Sequence, residues 1–380
     1  MSRELFDYIE LTYEYPLSLP PPQREDYFLL PMLIAKEMGL KAAMFTSSSA
    51  STRQKRQFIN GVDVITFDST RTMIKRLFES APALVHGHSF GWIPATIAAP
   101  FLSKRYIMTP HAYRLDIYPT WKVIPALSLL KKSDALITLT RFEKSQFTNV
   151  IDQSKIHVIP HPIDYDFFSK YESSEKETVF QKYGLDRSDK IILCVANLVP
   201  RKNLETLIVS FAKVKKKFPQ SKLLIVGDEP KTILSVSTPK KLPWNYRSKL
   251  TKLAFSLGVA KDVIFAGHQK VPELRGFYAA ANIFCLPSTV EGQVLAAGEA
   301  ASSGLPLVLS NLEPLVELYL GCALFHKPLD YEQLANHIIL LLENAELAKT
   351  LGNAGQIQML NFRPEIIRSK LRELYEKVLF

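Results

Sequence analysis

The residues of this chain best suited to chemistry are two adjacent cations, Arg201 and Lys202, and two carboxylates eight positions apart, Glu291 and Glu299. Between Ile191 and Phe211 an apolar run ends in a proline, the two cations and Asn203, a residue type that caps helices. That order predicts a buried strand running into a helix, with the cations beside the helix N-terminus. Open α/β sheets bind anions at such a place, because free backbone N–H groups, the helix dipole and side-chain charge converge there.

The carboxylates belong to LPSTVEGQVLAAGEAASSGLPLVLS, residues 286 to 310. A strand is expected to end at Pro287-Ser288, Glu291 and Gly292 to make a turn, and an Ala-rich helix to run from about Gln293 to Ser302. On a helical rise, eight positions put the carboxylates about 12 Å apart along the axis, a span that suits an extended nucleoside diphosphate. One carboxylate would take sugar hydroxyls and the other ribose hydroxyls, with helix amides facing the diphosphate. Gly298 within the helix points to close backbone approach. Taken alone, the two Glu on one helix are equally compatible with a solvated face, and the two cations with a solvated pair in a loop, the lesser of their two readings.

Positioning these groups requires strands alternating with helices, and the chain reads that way almost throughout. In the first half the expected strands are Leu5 to Tyr13, Lys41 to Thr46, Val62 to Phe67, Ala83 to His88, Arg105 to Thr109, Ala135 to Leu139 and Ile156 to Ile159. In the second they are Ile191 to Ala196, Lys222 to Val226, Val263 to Ala266, Ile283 to Leu286 and Leu307 to Leu309. Several are continuous apolar runs, as parallel strands buried on both faces require. Two α/β domains are therefore expected, 1–163 and 191–363, joined by a polar linker over 164–190 that is rich in Ser, Glu, Lys and Tyr. Residues 364–380 carry a helical apolar stripe that needs a groove to lie in.

Taken in order, these segments resemble the group 1 glycosyltransferases. Glu291 and Glu299 match that family's Glu, seven residues, Glu motif, and the GEAASSGLPLVLS that overlaps it has the family's pattern. Lys202 matches its diphosphate lysine, and Gly227-Asp228-Glu229-Pro230 resembles its G-D-G-P loop. His111, after the strand Arg105 to Thr109, matches its donor-sugar histidine. SDALITLTRF at 133–142, IHVIPHPID at 156–164 and FAGHQKVPELRGFYAAANIFCLPS at 265–288 match three more of its segments.

The resemblance implies a GT-B architecture: two Rossmann-like domains with a donor cleft between them, and a C-terminal helix that returns to the first domain. It implies a retaining glycosyltransferase using a nucleotide-sugar donor. Glu299 would hold the ribose, Lys202 and Arg201 the diphosphate, and Glu291 with the Gly292, Gln293 and Val294 backbone the sugar. Gly227 and Asp228 would line the phosphates, His268 in the loop Gly267 to Lys270 would lie near the base, and His111 would reach the donor sugar. His111, Glu291 and Lys202 would be the catalytic set. Charge developing on the β-phosphate would be stabilised by the cations and the helix N-terminus. Departures also show: Ala196-Asn197 stands where the family has Gly-Arg, Gly292-Gln293-Val294 where it has Gly-Phe-Gly, and PLSLPPPQRED at 16–26 where it has a glycine-rich loop. They keep two alternatives open, a GT-B sugar-nucleotide epimerase or hydrolase, and a non-catalytic sugar- or phosphate-binding relative.

No metal or other cofactor is expected. Asp164-Tyr165-Asp166 spells the D-x-D of other glycosyltransferases, but it opens the linker, where the family has only a structural Asp. His86 and His88 share one strand face with no third ligand fixed in sequence. Neither half carries G-x-G-x-x-G after its first strand, which counts against a dinucleotide-dependent dehydrogenase.

A net charge of +10 favours an anionic partner. No nucleic-acid-binding module is present to take that role. Basic residues mix with apolar ones at 51–59, 71–78 and 121–132, so an anionic membrane surface and a lipid or lipid-linked acceptor are expected partners, equal in weight with a soluble acceptor glycan. Three scattered cysteines in the 380 residues, an acidic start and no apolar run near the roughly 20 residues of a span point to the cytoplasm, peripheral to the membrane at most.

Overall fold

A computed structural model describes residues 5–13, 29–47, 55–59, 61–88, 94–111, 127–128, 130–230 and 245–380. The segment 16–26 and most of 121–132 lie outside the described residues, as does Arg53. The chain forms two compact units, one made of Met1–Pro162 and Pro364–Phe380, the other of Ile163–Arg363.

The first unit is built on β1 (Tyr8–Tyr13), β2 (Ala42–Ser47), β3 (Lys55–Ile59), β4 (Val62–Phe67), β5 (Leu84–His88), β6 (Arg105–Thr109), β7 (Ala135–Thr138) and β8 (Ile156–Val158). They lie in the order β3-β4-β2-β1-β5-β6-β7-β8. All pairs are parallel except β3 with β4. Chain order reverses direction between β1 and β5, and such a switch point opens a crevice at the strands' carboxyl ends. The residues Lys55 to Ile59, expected in an amphipathic basic segment, form an exposed edge strand instead: Arg56 pairs with Asp63 on β4 at 2.7 Å, and Phe58 is 72% exposed.

The second unit holds β9 (Lys190–Val195), β10 (Ser221–Val226), β11 (Val263–Gly267), β12 (Ile283–Leu286), β13 (Leu307–Ser310) and β14 (Ala323–His326), all parallel in the order β11-β10-β9-β12-β13-β14. Its switch point lies between β9 and β12. Strand β14 was not foreseen, because its four residues carry too little periodicity to stand out. The continuous apolar runs are explained by helices over the sheet: Leu204–Lys217 buries Leu204, Leu207, Ile208, Phe211 and Val214. Truncating one such leucine typically costs about 2–5 kcal/mol.

The expected linker is a correction. Residues 164–190 fold into the second unit as two helices, Tyr165–Ser169 and Ser173–Tyr183, before entering β9. Their polar composition misled because they lie on the surface and contribute few but fully buried anchors, Phe168, Val179 and Phe180. In the first unit the helix Pro364–Leu379 buries Ile367, Leu371, Leu374 and Tyr375. No helix among the described residues is long and apolar enough to cross a membrane.

Candidate active site

In the second unit the chain leaves β9 at Ala196, whose N–H donates to Val226 O at 2.9 Å. Gly227 follows with φ 138°, and a Cβ there would lie 2.0 Å from Ala196 O. Only glycine permits the exits of β9 and β10 to pass this closely. Gly227 N–H donates to Gly267 O at 2.9 Å and Leu198 N–H to Asp228 O at 3.0 Å, so the expected phosphate loop is tied to both neighbouring loops. His268, one residue beyond, is exposed.

A 3-10 turn, Pro200–Lys202, then carries the two cations. Asn203 stands at the head of the next helix as expected, yet its side chain does not cap it. Its φ of 52° swings the amide across the sheet edge, where Nδ2 donates to Pro287 O at 3.0 Å. Thr289 N–H reaches back to Arg201 O at 2.8 Å. These bonds lock together the loops after β9 and β12, the two strands that flank the switch point.

The result is one cluster. Lys202 Nζ donates to Glu291 Oε1 at 2.5 Å and Arg201 to Glu291 Oε2 at 3.2 Å. Lys202 is 8% exposed and Glu291 7%. Burial opposes ionisation of Glu291, but Lys202 and then Arg201 outweigh it and hold the carboxyl below its ordinary range. A buried lysine and a partly exposed arginine held by one carboxylate are suited to exchange it for a more highly charged anion.

Glu291 is not on the helix. That helix begins at Leu295 rather than Gln293, with Val294 in the cap position, so Glu291 and Glu299 do not share one helical rise and the axial spacing drawn from it does not apply. The β-branched Val294 adopts extended backbone, and its carbonyl accepts from Tyr319 Oη at 3.2 Å. Gly292 and Gln293 are half-buried in the turn between. Glu299 is 5% exposed and accepts a 2.8 Å bond from Tyr278 Oη. A Cβ on Gly298 would lie 2.8 Å from Ile163 Cδ1, so the close approach inferred for this glycine is one of side-chain packing.

Both D-x-D carboxylates have protein partners. Asp164 caps the helix Tyr165–Ser169 by accepting from Phe167 N–H at 3.2 Å, and Asp166 pairs with Arg363 at 3.1 Å.

In the first unit His111 follows β6 in left-handed backbone, φ 50°. Its Nε2 lies 2.9 Å from His88 Nδ1, and its ring stacks on His161 with centroids 5.2 Å apart. His86 and His88 on β5 gather a third group that the sequence reading missed, Glu10 on β1, whose Cα is the register partner of His86. Each potential metal-binding atom of the three already has a protein partner. His88 Nε2 and Tyr8 Oη bond to the two Glu10 oxygens, while His86 meets Tyr375 Oη and Thr109 Oγ1, each at 2.8 Å. Burial lowers His88 to about 3, and burial and then His88 lower His111 to about 3, so both imidazoles are neutral at pH 7. Nothing in local sequence marks Glu10, Tyr8 or Tyr375 as partners of these histidines, because sheet register and the C-terminal helix bring them together.

Residues 175–358 match the family described as glycosyl transferases group 1, and residues 50–167 match Glycosyltransferase Family 4. Over 220 residues the chain is 26% identical to the GDP-mannose-dependent alpha-(1-6)-phosphatidylinositol monomannoside mannosyltransferase of Mycolicibacterium smegmatis, covering 54% of this chain and 52% of that one. Over 223 residues it is 26% identical to the alpha-monoglucosyldiacylglycerol synthase of Acholeplasma laidlawii, covering 57% of this chain and 52% of that one. The chain thus spans about half the length of these curated relatives. Among solved structures, Anabaena HepE in complex with UDP and glucose superposes with TM-score 0.80 at 17% identity, over 98% of this chain and 99% of that one. Sucrose-phosphate synthase from Thermosynechococcus elongatus does so with TM-score 0.75 at 20% identity, over 98% of each. The fold of both units is thereby the GT-B type. The group 1 model over residues 175–358, the family 4 model over residues 50–167 and the relatives named as glycosyltransferases together place the chain among the group 1 glycosyltransferases.

Proposed function

We propose that this protein transfers a hexosyl group from a nucleoside-diphosphate sugar to an acceptor hydroxyl with retention of configuration and without a metal ion. The observation that carries the reading is the cluster at the second unit's switch point, where Lys202 and Arg201 share the buried carboxylate Glu291. A diphosphate entering there replaces that carboxylate as the cations' counter-charge, and negative charge developing on the β-phosphate as the sugar departs meets Lys202, Arg201 and the amides at the head of helix Leu295–Ser302. Glu291, released from the cations, then accepts hydrogen bonds from sugar hydroxyls. Glu299, held by Tyr278, takes the ribose hydroxyls. Gly227 and Asp228 line the phosphates and His268 lies by the base. His111 is the first unit's contribution to turnover.

The acceptor is proposed to be a lipid or lipid-linked saccharide at the cytoplasmic membrane face. Two of the relatives are named for lipid substrates, and the exposed strand β3 carries Lys55 and an unburied Phe58. The test is release of free nucleoside diphosphate from a panel of UDP, GDP and ADP sugars, with and without diacylglycerol or phosphatidylinositol acceptors. A transferase releases diphosphate in step with glycosylated lipid. Release at the same rate without acceptor identifies a hydrolase, and binding without release identifies a non-catalytic relative.

A further inference from the structure

In the first unit a buried carboxylate closes two chains of hydrogen bonds. Glu10 is fully buried on β1, and both its oxygens are engaged, one by Tyr8 Oη and one by His88 Nε2. From His88 the first chain continues through Nδ1 to His111 Nε2 at 2.9 Å. The second runs from Tyr8 Oη to Tyr375 Oη at 3.1 Å, on to His86 Nδ1 at 2.8 Å, and ends with His86 Nε2 against Thr109 Oγ1 at 2.8 Å.

Each hydroxyl and each neutral imidazole in these chains has one proton to donate along them, so the direction of a whole chain is set at its end. An ionised carboxylate only accepts. With Glu10 ionised, Tyr8 and His88 must both donate to it. His88 then carries its proton on Nε2, its Nδ1 must accept, and His111 must donate from Nε2. On the other arm Tyr375 donates to Tyr8, His86 donates from Nδ1 to Tyr375, and Thr109 donates to His86. One charge thus dictates the orientation of six donors.

We propose that Glu10 is ionised and is a positioning residue that acts through His88 to hold His111 in its Nε2–H tautomer, leaving Nδ1 as that ring's acceptor. The stack of His161 on His111, at an interplanar angle of 27°, holds the plane of the ring while the chain holds its protons. A hydroxyl met by Nδ1 must therefore donate, whereas the opposite tautomer would present an N–H to it. The functional half of this inference rests on the assignment of His111 to turnover, and the tautomer does not.

The test uses the full chain carrying ¹⁵N-labelled histidine, with ring signals assigned by single His→Gln variants and read by long-range ¹H–¹⁵N NMR at pH 7. Expected are Nε2–H tautomers for His88 and His111 and the Nδ1–H tautomer for His86, none of them an imidazolium. Nδ1–H at His111, or a charged His88, overturns the proposal. In Glu10→Gln one arm of the side chain becomes a donor, so one of the two chains must reverse. Reversal at His111 is expected with at least about a tenfold loss of turnover; reversal at His86 is expected with turnover kept. Unchanged tautomers on both chains overturn the proposal. So does a turnover loss from Glu10→Gln that persists in full in a His111→Ala background, since a merely structural role would act in both. Stoichiometric zinc in the purified protein, absent from Glu10→Gln, would also overturn it in favour of a metal centre. If His111→Ala alone keeps full turnover, the assignment of His111 fails while the NMR result still decides the tautomer.

Discussion

Lys202 and Glu291, 89 positions apart, meet at 2.5 Å because the loops after β9 and β12 are bonded to each other through Asn203 and Thr289. Breaking a buried pair from one side leaves an uncompensated charge, which typically costs about 3–5 kcal/mol. Lys202→Ala is spared much of that because Arg201 remains on Glu291. Turnover is therefore expected to fall at least about a hundredfold, the range for removal of a charge-stabilising group, while the unfolding free energy falls by under about 2 kcal/mol. Parallel kinetics and urea denaturation check this, and a variant with normal turnover refutes the role.

Glu299→Ala should weaken nucleoside diphosphate binding by about 1.5–3 kcal/mol, the worth of hydrogen bonds to a charged acceptor. Tyr278→Phe removes only the bond that orients the carboxylate and should cost about 1 kcal/mol. Calorimetry with UDP and GDP gives both numbers, and unchanged affinity in Glu299→Ala would remove the ribose assignment.

His86, His88, His111 and His161 all have pKa values lowered from the ordinary 6.5, in each case first by burial. Unfolding returns each to a group that binds a proton near pH 6.5, so the unfolded state binds more protons below that value and stability falls with it. The contribution is complete above pH 6.5 and is lost as pH drops toward the folded values, at up to about 1.4 kcal/mol per histidine per pH unit. Thermal melts from pH 8 to pH 5 should be flat and then fall, and the fall should be shallower in His161→Gln. A melting temperature that does not change between pH 7 and pH 5 contradicts neutral buried rings.

The two halves differ in how legible they were. Arg201, Lys202 and the strand ahead of them could be placed from sequence because a strand, a proline and a helix lie within one local stretch. So could the turn at Glu291, though the helix start was set two residues early: Gln293 and Val294 have side chains that a helix tolerates, and only the fold shows that Val294 is still extended, its carbonyl taken by the Tyr319 hydroxyl. Glu10 was invisible as a functional group, since its partner His88 stands 78 positions away and Tyr375, which reaches it through Tyr8, 365 away, and register and the C-terminal helix rather than spacing join them. The helices within 164–190 were missed for the opposite reason, a polar surface over a few deep anchors.

Activity is expected to survive EDTA. Two side-chain cations and helix amides neutralise the diphosphate in the proposed site, and the D-x-D carboxylates are occupied by a helix cap and by Arg363. Turnover abolished by EDTA and restored by Mn²⁺ would refute the metal-free mechanism.

Lys55 and Phe58 together should support binding to anionic vesicles, at about 1 kcal/mol per adsorbed cation, screened by salt. Replacing both by Ala should shift the protein toward the supernatant in sedimentation with phosphatidylglycerol liposomes. Equal recovery of wild type from neutral and anionic vesicles at low salt would favour a soluble acceptor.

The first unit is discontinuous in the chain, since Tyr375 reaches Tyr8 and His86 only after the whole of Ile163–Arg363 has been made. At roughly 5–20 residues per second, synthesis of that intervening unit takes on the order of 10–40 s. During this interval the buried face that receives Ile367, Leu371 and Leu374 is uncovered, and the polar chain that ends on Glu10 lacks one of its links. The second unit, continuous in sequence, is free to fold first. A nascent chain arrested before Pro364 should therefore show a protease-resistant second unit beside a first unit still open to cleavage.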